Sequence, residues 1–118
     1  MNNHEKGAQK EEQVCAYLLS NGVKIMERNF RCRQGEIDII GYDGGYLVFF
    51  EVKYRGSRSA GSAAEAVGYA KQRKICRTAD YYRMIHHCGE EVPVRFDVVA
   101  IDGEDLQWIK NAFYYIAR

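Results

Sequence analysis

The residues best suited to chemistry lie in one stretch, GEIDIIGYDGGYLVFFEVKYR, residues 35 to 55. Asp38, Glu51 and Lys53 stand there among Ile, Val and Phe. Burying an unpaired charge is costly, so these three need partners or a cation. Two carboxylates facing each other across adjacent strands repel, and a divalent metal between them relieves that repulsion. Oxygen ligands suit Mg²⁺ or Mn²⁺, which keep several waters and accept a phosphate oxygen. Asp38 and Glu51 are the candidate ligands, with the backbone carbonyl of Val52 as a further one. Lys53, two residues beyond Glu51, points to the same strand face. It could lower the pKa of an attacking water or stabilise charge growing on a phosphorane-like transition state. The set suits phosphodiester hydrolysis. It equally describes a buried Asp–Lys–Glu salt-bridge cluster that only fixes strand register, and the charge pattern alone leaves both open.

Positioning these residues requires a hairpin. Asp43-Gly44-Gly45 separates two strand-like runs, Glu36–Tyr42 and Tyr46–Tyr54. With Gly44-Gly45 as the loop, Asp43 pairs with Tyr46, Asp38 falls opposite Glu51, and Glu36 falls opposite Lys53. Strand alternation then puts all four side chains on one sheet face. A one-residue slip would separate the two acids. A third strand is expected at Val23–Arg31 and a fourth at Pro93–Ile101, where Val94, Phe96, Val98 and Ala100 alternate. The segment Leu106–Ala117 reads as a short strand through Trp108 followed by a helical turn.

Two helices accompany the strands. From about Glu5 to Asn21, Ala8, Val14, Cys15, Leu18 and Leu19 form an apolar stripe that ends at Asn21-Gly22. Glu11 falls near the middle of that stripe, so it must reach out at the helix end or turn toward a polar site. Arg55–Ser62 is a Gly/Ser loop, and Ser62-Ala-Ala-Glu65 has capping-box spacing. Gly68 then breaks the chain before a helix from Tyr69 to about His87. Helices alternating with a hairpin-containing sheet give a mixed α/β class.

Composition sets the bounds. A chain of 118 residues, 47% hydrophobic and carrying nine Tyr and five Phe, fits one packed domain over residues 1–118. No apolar run approaches the roughly 20 residues of a membrane span. The start, MNNHEKGAQKEEQ, has no signal-peptide pattern, so a cytoplasmic protein without a membrane partner is expected. Cys15, Cys32, Cys76 and Cys88 are widely spaced and read as reduced, half-buried residues rather than zinc ligands. Net charge is +1, yet residues 53–83 hold eight Lys/Arg against two acids, which is +6 there and −5 elsewhere. Such asymmetry suits a local anionic partner. Arg28, Arg31, Arg33, Arg55 and Arg58, with Lys71, Lys74 and Arg77, could track a phosphate backbone. No base-reading motif accompanies them.

The Asp, a twelve-residue gap, then Glu-x-Lys resembles the core of the PD-(D/E)XK nuclease superfamily. More specifically, GEIDII…LVFFEVKYR resembles the YraN family of small bacterial proteins. That resemblance extends through Glu11 and Tyr17-Leu18-Leu19, Arg28-Asn29-Phe30-Arg31, the Lys71 helix and Arg95-Phe96-Asp97-Val98-Val99. It implies a restriction-endonuclease-like α/β fold, a central mixed sheet flanked by helices. Asp38 and Glu51 would be metal ligands and Lys53 the catalytic lysine, with a first-helix glutamate, best matched by Glu11, completing the site. Gln72 would contact the scissile phosphate or the lysine, as helix glutamines do in similar nucleases, or be a solvated helix residue. The implied activity is Mg²⁺- or Mn²⁺-dependent endonucleolytic cleavage of DNA, including branched or flapped DNA, by a chain that could act as a homodimer. The alternatives are a nucleic-acid-binding module without catalysis and a structural adaptor. Other residues read more simply. Glu36 is a salt-bridge partner of Lys53 or an auxiliary acid, Asp97 an ion-pair partner of Arg95 or a catalytic acid, His86-His87 a cationic helix end or a metal site, and Tyr81 and Tyr82 core or rim residues or base-stacking rings.

Overall fold

Gly44 and Gly45 both take the left-handed backbone (φ 58° and 88°) that a tight hairpin turn needs, and Asp43 pairs with Tyr46 across them. The computed structural model describes residues 3–55 and 67–118. Over these the order is α1 (Asn3–Ser20), β1 (Lys24–Cys32), β2 (Gly35–Asp43), β3 (Tyr46–Arg55), α2 (Tyr69–Ile85), β4 (Val94–Asp102) and β5 (Asp105–Phe113). The expected Gly/Ser loop and the capping box at Ser62–Glu65 lie outside the described residues.

The strands form one five-stranded sheet in chain order. All neighbours are antiparallel except β3 and β4, which run parallel from Leu47↔Val94 to Arg55↔Asp102 and are linked through α2. A parallel pair needs a crossover, and the helix supplies it. β3 and β4 are buried on both faces, which explains why LVFF and VVAI read as continuous apolar runs. Leu47, Phe49, Phe96, Val98 and Ala100 pack against Ile75, Cys76, Ala79 and Tyr82 of α2. Val48, Phe50, Val99 and Ile101 pack against Val14, Cys15 and Leu18 of α1. The architecture is an α/β layer structure with a helix on each face of a mixed sheet, compatible with a restriction-endonuclease-like fold.

Two expectations change. Ala8 and Leu19 are exposed, not part of the α1 core stripe. At about 100° per residue, both fall on the edge of the arc defined by Val14, Cys15 and Leu18, and the sheet meets only that narrower arc. The chain end forms a nine-residue strand to Phe113 rather than a short strand and a helical turn. Its alternation is interrupted because Asn111 is left-handed (φ 55°) beside a register shift between Phe96 and Val98. Leu106 and Trp108 face the α1 side and Ile109 and Phe113 the α2 side, as alternation requires, while Ala112, next to Phe113, joins the α2 side out of turn.

Candidate functional site

The site begins where the β2–β3 ladder ends. Pairing follows the expected register from Asp43↔Tyr46 to Ile39↔Phe50, and the next positions in that register are Asp38 and Glu51. There the strands fork. The Val52 amide donates to Asp38 Oδ2 at 2.7 Å instead of to a backbone carbonyl of β2. A strand N–H lies in the plane of its sheet, so the Asp38 carboxyl is wedged in the fork between β2 and β3.

Beside the fork, β1 carries a backbone irregularity. Register passes from Arg28↔Ile39 to Phe30↔Ile37, and between them Asn29 adopts φ 54°. Asn tolerates this left-handed region better than most residues. Ordinary alternation would put Arg28 and Phe30 on one face. Instead Arg28 reaches Glu11 and Glu12 of α1, while Phe30 packs in the α2-side core. β2 turns over in step, with Ile39 on the α1 side and Ile37 on the α2 side. Asp38 sits at the turnover point.

Its electrostatics are unfavourable. Burial, then the negative charge of the adjacent Glu51 carboxyl, push Asp38 up to about 7, and only the Val52 N–H opposes them appreciably. Glu51 is the next residue in the hairpin register, so the two carboxyls are neighbours. Glu51 is buried on the α2 side, where Lys71 Nζ lies 3.6 Å from its Oε2. Sequence reasoning places Lys71 on phosphate and misses it as the cation of Glu51, because their proximity depends on how α2 crosses the sheet.

A cleft of about 570 Å³ opens onto Asp38 from the α1 side, walled by Lys10, Glu11, Glu12, Arg28, Asn29, Arg31, Glu36, Val52 and Tyr54. Glu11 turns toward this polar space and takes hydrogen bonds from Asn29 Nδ2 (3.0 Å) and Arg28 Nη2 (3.3 Å). Around Asp38 the walls balance, with three acids (Glu11, Glu12, Glu36) against three bases (Lys10, Arg28, Arg31).

The other expected residues divide. Lys53 shares the α2 face with Glu51 by strand alternation, since β3 and β4 pair without a break there, and it is half-buried. The expected single face for Glu36, Asp38, Glu51 and Lys53 is not kept: Glu51 and Lys53 lie on the α2 side, Glu36 and Asp38 line the α1-side cleft, and Glu36 does not meet Lys53. It pairs with Arg31 across β1 at 3.1 Å, because the fork separates its end of β2 from β3. Gln72 donates to the Val67 carbonyl at 2.9 Å, holding the start of α2. Arg77 turns toward the chain end, with the Ile116 carbonyl, Asp80 and the Tyr115 ring as neighbours. Arg33 and Lys74 are exposed, Arg33 in the β1–β2 turn and Lys74 on α2. The Arg55 side chain and all of Arg58 lie outside the described residues.

Elsewhere, Asp97 is fully buried and bonded by Arg95 through Nε (2.9 Å) and Nη2 (2.8 Å), by Trp108 Nε1 (2.8 Å) and by the Asn111 amide (2.9 Å). Arg95 also reaches Asp43 at 2.7 Å, and it holds that carboxyl below the usual range. The Arg95–Asp97 pair is visible in the sequence, but its Trp108 and Asn111 donors are not, since they come from another strand. His86 follows the last turn of α2, stacks on Tyr82 with ring centroids 4.2 Å apart and lies 3.9 Å from Glu27. All four cysteines are free.

Among the described residues no three His, Cys, Asp or Glu side chains gather closely enough to hold a metal. What converges is a pair, Asp38 and Glu51. Hard oxygen donors that repel each other fit a divalent cation such as Mg²⁺ or Mn²⁺, whose remaining positions water can fill. No helix among the described residues is long and apolar enough to cross a membrane.

Comparison with other proteins matches the family described as "Uncharacterised protein family UPF0102" over residues 10–101. A UPF0102 protein of Lachnoclostridium phytofermentans is 47% identical over 113 residues, covering 96% of each chain. One from Thermodesulfovibrio yellowstonii is 46% identical over 93% of this chain and 96% of its own length. One from Shewanella loihica is 44% identical over 92% and 93%. The match reaches from the Glu11 helix through the end of β4, so it includes both strands of the fork. It agrees with the YraN resemblance of the 35–55 block, and the chain belongs to the UPF0102 family.

Proposed function

We propose that the protein is a Mg²⁺- or Mn²⁺-dependent endonuclease acting on DNA phosphodiesters, with structured or branched DNA as its substrate class. The observation carrying this reading is the Asp38–Glu51 pair. Two carboxyls neighbour each other at the fork of an apolar sheet, with one backbone donor on Asp38 and one half-exposed lysine near Glu51. A purely structural cluster would be expected to balance its charges better.

Held by Asp38 and Glu51, the cation would supply Lewis-acid polarisation of a phosphate oxygen. Lys53, on the Glu51 face, contributes an ammonium for the charge that develops as the phosphodiester is attacked. Glu11 draws Arg28 and Asn29 to the wall beside Asp38. Arg31 and Lys10 on the cleft walls, with exposed Arg33 and Lys74, are the candidates for phosphate contacts. A homodimer would present two such sites to a branched duplex, and a cytoplasmic location would give access to it.

The test is incubation of the purified chain with junction, flap and single-stranded DNA plus Mn²⁺, beside Asp38→Ala and Lys53→Ala. Cleavage by the wild type, lost in both variants, is expected. No cleavage of any substrate, with unchanged DNA affinity in the variants, would leave a nucleic-acid-binding module instead. Calorimetric titration with Mn²⁺ separates that module from an adaptor that binds no metal.

A further inference from the structure

We infer that Asn29 is a positioning residue for the Asp38–Glu51 pair. Its left-handed backbone creates the strand turnover that releases Asp38 into the β2–β3 fork, and its carboxamide fastens Glu11 to the same point. The link to metal rests on the function proposed above; the link to Asp38 geometry does not.

Three observations carry it. First, Asn29 has φ 54°, in a stretch otherwise paired strand from Arg28↔Ile39 to Phe30↔Ile37. A left-handed residue inside a strand rotates the residues beyond it, as happens at a bulge. Arg28 and Phe30 accordingly point to opposite faces, and so do Ile37 and Ile39 across from them. Asp38 is the residue between those two, opposite Asn29 in register. Second, Asn29 Nδ2 donates to Glu11 Oε1 at 3.0 Å, and both residues line the cleft that reaches Asp38. One residue therefore joins α1, β1 and the turnover of β2. Third, the sheet uses the same device again. Asn111 (φ 55°) stands across a register shift from Asp97, and its amide donates to Asp97 Oδ1 at 2.9 Å. In both places a left-handed Asn on an edge strand accompanies an aspartate on the neighbouring inner strand. The backbone conformation, which recurs, is the part that places the aspartate; the carboxamide bond to Glu11 is specific to the first.

The two contributions come apart by substitution. Asn29→Gly keeps access to the left-handed region and removes only the carboxamide, whereas Asn29→Val makes that region strongly unfavourable. The direct readout is hydrogen exchange of the Val52 amide, whose acceptor is the Asp38 carboxylate, measured against amides of β4 in the same sample. Asn29→Val is expected to speed Val52 exchange by about tenfold or more relative to β4 and to weaken Mn²⁺ binding by a similar factor, while Asn29→Gly stays within about threefold on both. Should Asn29→Val not fold, Asn29→Ala takes its place with a smaller expected effect in the same direction. Equal Val52 protection in Asn29→Val (or its Ala substitute) and the wild type would overturn the inference. So would Asn29→Gly losing as much as Asn29→Val, because the backbone would then not be the cause. If the wild type binds no Mn²⁺ but Val52 still responds to Asn29→Val, the positioning role stands and the metal-dependent reading falls.

Discussion

Asp38 and Asp97 sit on inner strands of one sheet, each across from a left-handed asparagine, and they are provided for very differently. Asp97 receives four hydrogen bonds, two from a guanidinium, one from an indole and one from a backbone amide. Through Arg95 it also ties the β2–β3 hairpin at Asp43 to β4 and β5. Asp38 has one backbone amide and, beside it, another carboxyl. Strand position does not separate the two residues; their donors and their access do, since Asp97 is fully buried and Asp38 is only partly buried at a cleft. A carboxylate with a full set of donors holds architecture together. One that lacks them, and faces a like charge, carries a standing demand for a proton or a cation.

The strongest way to break this contrast is at Asp97. Removing it leaves Arg95, whose side chain is 12% exposed, with Asp43 alone, and also orphans the Trp108 and Asn111 donors. Asp97→Ala should therefore cost about 3–5 kcal/mol in denaturant unfolding. Mn²⁺ affinity of the folded fraction should be nearly unchanged. A loss under about 1 kcal/mol would remove the distinction between the two aspartates.

Asp38→Asn should act in the opposite direction on stability. The folded state raises the Asp38 pKa to about 7, so it holds a proton that the unfolded chain has already released. Stability from that proton is complete below the unfolded value near 4 and is lost as pH rises through 7. The amide variant never ionises, so metal-free Asp38→Asn should match the wild type near pH 4. It should exceed it by about 1–3 kcal/mol at pH 8, measured by urea unfolding. Adding Mn²⁺ at pH 8 should narrow the gap by stabilising only the wild type. A variant less stable than the wild type at pH 8 would mean that Asp38 is a satisfied structural residue.

Part of this contrast is legible in the sequence. Gly44-Gly45 fixes the hairpin register as far as Ile39↔Phe50, because a two-residue turn leaves no freedom in pairing. Asp38 and Glu51 can therefore be placed side by side from residue spacing alone. Where the ladder forks cannot be read, since the irregularity beside it is a backbone angle at Asn29 in another strand, and alternation in β2 alone gives no sign of it. That is also why spacing sets Glu36 opposite Lys53 whereas the fold pairs it with Arg31. The same blindness affects the chain end, where Asn111 interrupts the period of β5. Glu11 stands out because a lone acid at the centre of an apolar arc needs a polar destination, but Asn29 and Arg28 as that destination require the tertiary fold.

The smallest expected effect sharpens the contrast most. Lys71 is the only cation paired with Glu51 among the described residues, at 3.6 Å, and its side chain is 46% exposed. A long, half-solvated ion pair contributes little, so Lys71→Met should cost less than about 1 kcal/mol. It also removes a positive charge that any divalent ion at Glu51 must approach, so Mn²⁺ should bind as well as before or somewhat more tightly. These two outcomes together would show that Lys71 is a loose neighbour and not the partner that completes Glu51. If instead Lys71→Met costs more than about 2 kcal/mol and leaves Mn²⁺ binding absent, Glu51 is locked by its lysine as Asp97 is by Arg95. The fork of β2 and β3 would then be a second structural cluster, and the sheet would hold two anchors rather than an anchor and a site.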